Sequence, residues 1–165
     1  MSEKTSHRKA APDQIRKEIL LEDAINIIER ETVCEITTCS KAGDLIVRPA
    51  DAQWQAKEGR FIVTTSVAFP QWAYNVRRNP RACLSFNPEN DRRQFIVQCA
   101  ATAPDVVLPP HDLEQYWREL FERIPSIAAQ ARNGDRSSME WFYWRIPIYL
   151  TPVSTWSVDM GENHD

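Results

Sequence analysis

The most constraining feature of this sequence is a succession of short segments rich in β-branched residues and separated by tight turns. Three such segments lie between residues 33 and 66, and the turn signals KAGD (41–44) and AKEG (56–59) separate them. Strand-like segments joined by such short turns are typical of antiparallel hairpins. The sequence therefore predicts a meander of three strands over 33–40, 44–54 and 60–66.

The rest of the chain adds further strands and three amphipathic helices. Helical spacing of apolar residues predicts helices over 15–28, 70–79 and 111–131, the last interrupted at Pro125. Short β-rich segments predict strands over 81–86, 94–103, 139–150 and 153–158. Strands that follow one another this closely favour a closed or partly closed antiparallel barrel, because closure removes exposed edges.

The length of 165 residues fits one domain. We expect a flexible N-terminal tail over 1–14, which is polar, and a single domain over 15–160. A net charge of −3 disfavours non-specific binding to nucleic acid, which needs a concentrated basic surface. The sequence contains no apolar run long enough to span a bilayer and no secretory signal, so we expect no membrane partner and a cytoplasmic location.

Common catalytic and metal-binding patterns are missing from the sequence. The chain has three histidines, no CxxC pair, no GxGxxG motif and no phosphate-binding P-loop. These absences disfavour a Ser–His–Asp hydrolase, a Rossmann protein and a metal site, and they leave the catalytic residues unknown.

Three segments nevertheless suggest a binding cleft. Arg48 precedes Pro49 within a strand, where proline marks an edge or a break in pairing. The guanidinium of Arg48 could bind an anion there. The strand ending at Thr64, Thr65 and Ser66 leads into a helix that begins near Pro70, and a helix N-terminus favours phosphate. Trp72, one turn into that helix, could flank a flat ring. Ordinary alternatives are a surface ion pair for Arg48, strand-end chemistry for 64–66 and core packing for Trp72.

The order of these pieces resembles the FMN-binding split-barrel family, the group around pyridoxamine 5′-phosphate oxidase and the general-stress flavoproteins. The resemblance covers roughly residues 18–158 and rests on the strand–turn–strand segment with Arg48-Pro49 and on NVRRNPRACLSF (75–86). It implies a mainly β fold with flanking helices, a six-stranded antiparallel split β-barrel. It also implies a homodimer with FMN bound between the subunits.

The resemblance implies a cofactor-binding role for Arg48, Pro49, Thr64, Thr65, Ser66, Gln71 and Trp72. At Gln71 and Trp72 the sequence departs from the pattern, because many members of the family carry basic residues there for the phosphate. Arg48, the helix N-terminus and Arg77 or Arg78 would then have to hold the phosphate, although Arg77 and Arg78 lie toward the other end of the helix.

Three hypotheses follow from the sequence. The first is an FMN-dependent oxidoreductase that acts on a small molecule or on an electron donor such as NAD(P)H. The second is a non-catalytic binding or storage protein for FMN, a deazaflavin or haem, which the departure at Trp72 motivates. The third is a structural dimer with a degenerate cleft.

Overall fold

A computed structural model of the protein describes residues 16–19, 21–29, 33–89, 91–126, 128–129 and 142–159. The predicted tail over 1–14 and the predicted start of a strand at 139–141 lie outside the described residues. Three α-helices lie wholly within the described residues: α1 (Leu21–Ile28), α2 (Gln71–Arg78) and α3 (Glu114–Arg123). Residues 125–126, 128–129 and 142–143 are also helical. A short 3-10 helix over Pro110–Leu113 leads directly into α3.

Eight strands form one antiparallel sheet in the described residues. They are β1 (Arg16–Ile19), β2 (Val33–Cys39), β3 (Leu45–Asp51), β4 (Gln53–Gln55), β5 (Arg60–Ser66), β6 (Arg81–Phe86), β7 (Arg93–Thr102) and β8 (Arg145–Asp159). Seven of them follow the order β3-β2-β6-β7-β8-β5-β4, and β1 pairs with β8 off this path. This mainly β architecture with flanking helices confirms the predicted split-barrel fold.

The two ends of this path are consecutive in the chain. β3 pairs with β2, and β4 pairs with β5 after an interruption at the buried Ala52. One bent segment thus joins the two ends of the sheet, so that the sheet curls on itself. The prediction of a single strand over 44–54 was wrong on this point, because a strand that changes partner must leave one hydrogen-bond ladder before it joins the next. The break makes β3 and β4 separate strands, so the path has seven strands where six were expected, and β1 is an eighth strand off the path.

The first predicted helix is shorter than expected. Arg16–Ile19 form strand β1, which pairs with Thr155–Val158 of β8, and only Leu21–Ile28 are helical. Helical spacing predicted the helix over Leu21–Ile28 correctly. At Arg16–Ile19, hydrogen bonding to β8 outweighs helix propensity, because propensity is only a weak preference.

The last two predicted strands are one continuous strand. β8 runs through Pro152, whereas Phe142 and Tyr143 lie in a helical turn before it. The register against β7 shifts between Gln98 and Cys99, which pair with Ser154 and Pro152 and leave Val153 as an extra residue. Such a bulge accommodates a proline that cannot donate to the ladder, so the proline does not end the strand.

The core lies inside the curled sheet. Alternate residues of β6 and β7 are buried, and the largest fully buried side chains include Phe61, Phe86 and Phe95. All residues of β5 after Arg60 are buried, because neighbouring elements cover both of its faces. No described helix combines the length and apolar character that crossing a bilayer requires.

Candidate cofactor site

A cleft of about 870 Å³ opens beside β3, the end of β5 and the start of α2. All seven residues predicted to bind a cofactor line it: Arg48, Pro49, Thr64, Thr65, Ser66, Gln71 and Trp72. They come from three segments that are separated along the chain and that the fold brings together. The volume is in the range of cavities that hold a small molecule or a cofactor.

One wall of the cleft is the edge strand β3. Arg48 pairs with Ile36, a core residue of β2, so its side chain lies on the inward side of the sheet. Arg48 is exposed and forms no hydrogen bond or ion pair with any described residue. The predicted alternative of a surface ion pair is therefore not what the described structure shows. Pro49 lies next to it on this edge, where a missing N–H costs no ladder hydrogen bond.

The end of β5 forms a second wall, in which the side chains are fixed. Thr64, Thr65 and Ser66 are buried. The Thr65 hydroxyl donates to the carbonyl of Phe69 at 2.7 Å, and the Ser66 hydroxyl oxygen accepts from the N–H of Ala68 at 3.2 Å. These bonds fix the turn that leads from β5 into α2.

Helix α2 presents its N-terminus to the cleft. Pro70 precedes the first turn, and no side chain caps the helix there. The first backbone N–H groups of a helix have no intrahelical partner, so they can meet an anion. The Gln71 side chain donates to Asn75 Oδ1 at 2.8 Å along the helix. Trp72 is half-buried, packs against the core and also lines the cleft. The core-packing alternative therefore holds, and a place beside a flat ring stays a prediction.

A buried asparagine that sequence reasoning missed holds α2 in place. Asn75 is fully buried, and its side-chain N–H donates to the Thr38 hydroxyl in β2 at 3.0 Å. Its Oδ1 accepts hydrogen bonds from Gln71 and Arg78. Asn75 therefore positions the helix N-terminus relative to the sheet, although it does not itself line the cleft.

Arg145, at the start of β8, is the second arginine that lines the cleft and was also missed. It pairs with Ser66 across the sheet and reaches to Thr64. Its Nε donates to the Thr64 hydroxyl at 2.9 Å, its Nη2 to the Thr64 carbonyl at 3.0 Å and its Nη1 to the Phe142 carbonyl at 3.2 Å. The only sequence signal was a charged residue at the start of a long apolar strand.

Tyr116 of α3 adjoins this arginine. Tyr116 is buried beside it, and this burial raises the pKa of Tyr116 above its ordinary value, while the positive charge of Arg145 opposes the rise. Burial also lowers the pKa of Arg145, while the nearby Tyr116 and Asp51 oppose that change. Helix α3, whose role the sequence left open, thus supplies one side of the cleft with Tyr116, Leu120 and the following Ile124.

The cleft combines two cations with apolar and aromatic surface. Arg48 and Arg145 are its basic lining residues, and Asp51 is its acidic one. Phe69, Tyr74 and Phe142 form an exposed aromatic rim. No group of three His, Cys, Asp or Glu side chains in the described ranges could hold a metal ion. The arrangement is suited to a flat organic ring that carries negative charge.

Comparison with known proteins identifies the fold. No family model matches the chain, and no curated protein matches it. Several solved structures do. One is an F420 reductase with 17% identity and a TM-score of 0.55, where the match covers 79% of this chain and 93% of that one.

Two further matching structures are of proteins whose names indicate other ligands, FMN and haem. A pyridoxamine 5′-phosphate oxidase-related, FMN-binding protein from Nostoc punctiforme has 15% identity and a TM-score of 0.52, with 82% of this chain and 77% of that one covered. The haem storage protein HutZ from Vibrio cholerae has 14% identity and a TM-score of 0.55, with coverages of 87% and 97%.

The chain has the split-barrel fold that these proteins share, and the resemblance inferred from the sequence is confirmed at this level. At such low identities the likeness concerns the backbone architecture. The ligand has to be argued from the side chains of this chain.

Proposed function

We propose that this protein binds FMN in the cleft and acts as a flavin-dependent oxidoreductase on a small molecule in the cytoplasm. The observation that carries the proposal is the convergence of the three predicted segments on one cleft. That cleft contains a guanidinium without a described partner and an uncapped helix N-terminus. The fold of an FMN-binding protein in the comparison adds support.

The residues of the cleft fit the parts of a flavin mononucleotide. Arg48 and the first N–H groups of α2 would hold the phosphate, since a helix N-terminus and a cation both favour it. Trp72 and Pro49 would bound the flat ring, and the fixed turn after Ser66 would hold the start of α2 in position. Bound flavin would supply the redox chemistry, accepting or donating a hydride or electrons. The protein would then serve to bind, orient and shield it.

A homodimer belongs to the same proposal, on grounds that differ from the sequence argument. In the sequence, the aromatic segment MEWFYWRIPIYL (139–150) has apolar side chains on both faces, which predicts that a partner subunit covers one of them. Ile146, Pro147 and Ile148 of this segment are, however, buried within one chain. Large apolar side chains are more exposed next to the cleft: Leu45 and Val47 on β3 are 74% and 51% exposed, and Phe69 at the cleft rim is 74% exposed. A second copy covering β3 and the rim would bury them and narrow the cleft. Light scattering at micromolar concentration should give the mass of a dimer, and the mass of a monomer would contradict this.

A non-catalytic binding or storage role is the second candidate. It is favoured by Gln71 and Trp72, which place no cation at the start of α2, and by the fold of a haem storage protein. The purified protein should be examined by absorbance, titrated separately with FMN, a deazaflavin and haem, and then mixed with NADH or NADPH. Flavin bands that bleach with a reduced nicotinamide support the oxidoreductase. Flavin that stays oxidised, or uptake of haem instead, supports storage, and failure to take up any of these ligands supports the structural dimer.

A further inference from the structure

The hydrogen bonds of Arg145 point to a second ligand in the cleft, in addition to FMN. Among the described residues, all of its hydrogen-bond partners are uncharged: the hydroxyl and carbonyl of Thr64 and the carbonyl of Phe142. An arginine keeps its charge at neutral pH even where burial disfavours it. The wall of the cleft therefore contains a fixed positive charge.

This charge has no described carboxylate within ion-pair distance. Asp51 lines the same cleft and acts on Arg145 electrostatically, but the two form no salt bridge. Holding a half-buried charge without a salt-bridge partner is costly, and such a group is a candidate for a function. A negatively charged ligand atom in the cleft would supply the missing partner.

The surroundings of Arg145 indicate what else such a ligand would carry. The Arg145 guanidinium carbon lies 5.1 Å from the centre of the Phe142 ring and 5.6 Å from that of Trp117. Phe142 lines the cleft at its rim, and Tyr116 and Leu120 of α3 complete this side. Apolar surface next to a fixed cation favours a ligand that joins an anionic group to a ring or an apolar body.

We infer that Arg145 and Tyr116 recognise an anionic oxygen, such as that of a carboxylate, on the small-molecule substrate. This inference rests on the proposed function, because it assigns the substrate class at the same cleft. Arg48 on β3 would serve the cofactor, and Arg145 on the β8 and α3 side would serve the substrate. The cofactor phosphate is the other possible source of the same negative charge, and the experiment has to separate the two.

The test uses benzoate as an anionic probe and benzamide as its neutral match of similar shape. Calorimetric titration of the flavin-free protein should show benzoate binding at least about tenfold more tightly than benzamide, as expected for a charged hydrogen bond. Arg145→Met should remove this preference, and Arg145→Lys should retain part of it. Arg60→Met is the matched control, because Arg60 is a half-buried arginine that bonds Gln55 and stacks on Tyr149 away from the cleft. It should bind benzoate like the wild type.

Equal binding of benzoate and benzamide by the wild type, or an unchanged preference in folded Arg145→Met, would overturn the inference. If Arg145→Met does not fold, Tyr116→Phe decides. It should weaken benzoate binding several-fold and leave benzamide unaffected, and unchanged benzoate binding would count against the proposal.

Titration with FMN and riboflavin separates the two sources of charge. If Arg145→Met loses affinity for FMN but not for riboflavin, Arg145 holds the cofactor phosphate, and the assignment to substrate is wrong. If wild type and Arg145→Met bind FMN equally well and also bind riboflavin equally well, the assignment of Arg145 to the substrate is supported. If the wild type binds no flavin, the proposed function fails, while the benzoate titration still tests anion recognition by Arg145.

Discussion

Arg48 and Arg145 line the same cleft but are held in opposite ways. Arg48 lies exposed on an edge strand, without a hydrogen bond to any described residue, whereas Arg145 is half-buried and donates to Thr64 and Phe142. A fixed cation is already oriented when a ligand arrives, and a free side chain has to be ordered by the ligand. The comparison therefore separates an open wall on β3, which can adapt, from a fixed wall on β5, β8 and α2, which sets the geometry of the cleft.

The largest loss of stability is expected for a substitution at Asn75, which anchors the fixed wall to the sheet. Asn75→Ala should lower the free energy of unfolding by about 2–3 kcal/mol, because it leaves the buried Thr38 hydroxyl without its described partner and removes buried volume. Urea unfolding measures the change. Gln71→Ala, which removes an exposed partner of the same side chain, should cost less than about 0.5 kcal/mol. Equal losses in the two variants would show that Asn75 does not anchor this wall.

A smaller loss is expected at the acceptor of Arg145. Thr64→Val keeps the shape of the side chain but removes the hydroxyl, and should lower the free energy of unfolding by about 1–2 kcal/mol. The decrease is limited because Arg145 retains the Thr64 and Phe142 carbonyls. Thr102→Val, at an exposed position of β7, is the matched control for replacing threonine in a strand. If both variants unfold at the same denaturant concentration, the fixed wall does not depend on this hydroxyl.

The fixed wall should also contribute to the pH dependence of stability. Burial raises the pKa of Tyr116 in the folded protein, so the unfolded chain loses its phenolic proton first as pH rises. The stability that this group contributes is fully present below the unfolded pKa of about 10 and declines above it. Tyr116→Phe should therefore have a shallower decrease in stability above pH 10 than the wild type, measured by urea unfolding across that range. Identical slopes would place Tyr116 in contact with water.

The smallest change in stability is expected on the open wall. Arg48→Ala removes an exposed side chain that has no described partner, so the free energy of unfolding should change by less than about 0.5 kcal/mol. Thermal and urea unfolding measure this. A large loss would mean that Arg48 supports the fold, and the contrast between the two walls would disappear.

The sequence predicted the strands and the open wall well, because both depend on local signals. β-Branched segments separated by KAGD and AKEG predicted the β2–β3 and β4–β5 hairpins, and the Arg48-Pro49 pair correctly indicated an edge strand. The break at Ala52 was not visible in the sequence, since it depends on β3 and β4 having different partners.

The fixed wall was only partly predictable for the same reason. Thr64 to Ser66 and the start of α2 carried a local signal, but Arg145 is 81 residues from Thr64 in the chain. Its significance arises from the pairing of β5 with β8, and that of Asn75 from the packing of α2 on β2. Contacts over such separations leave no pattern in a single sequence that distinguishes them from ordinary polar residues.

The most direct test of the central claim is the dissociation constant for FMN, measured by quenching of flavin fluorescence in the wild type, Arg48→Ala and Arg60→Ala. Loss of a charged hydrogen bond to the phosphate should weaken binding by Arg48→Ala about tenfold or more, while Arg60→Ala binds like the wild type. A wild-type protein that takes up no FMN, or an Arg48→Ala variant with unchanged affinity, would contradict the account.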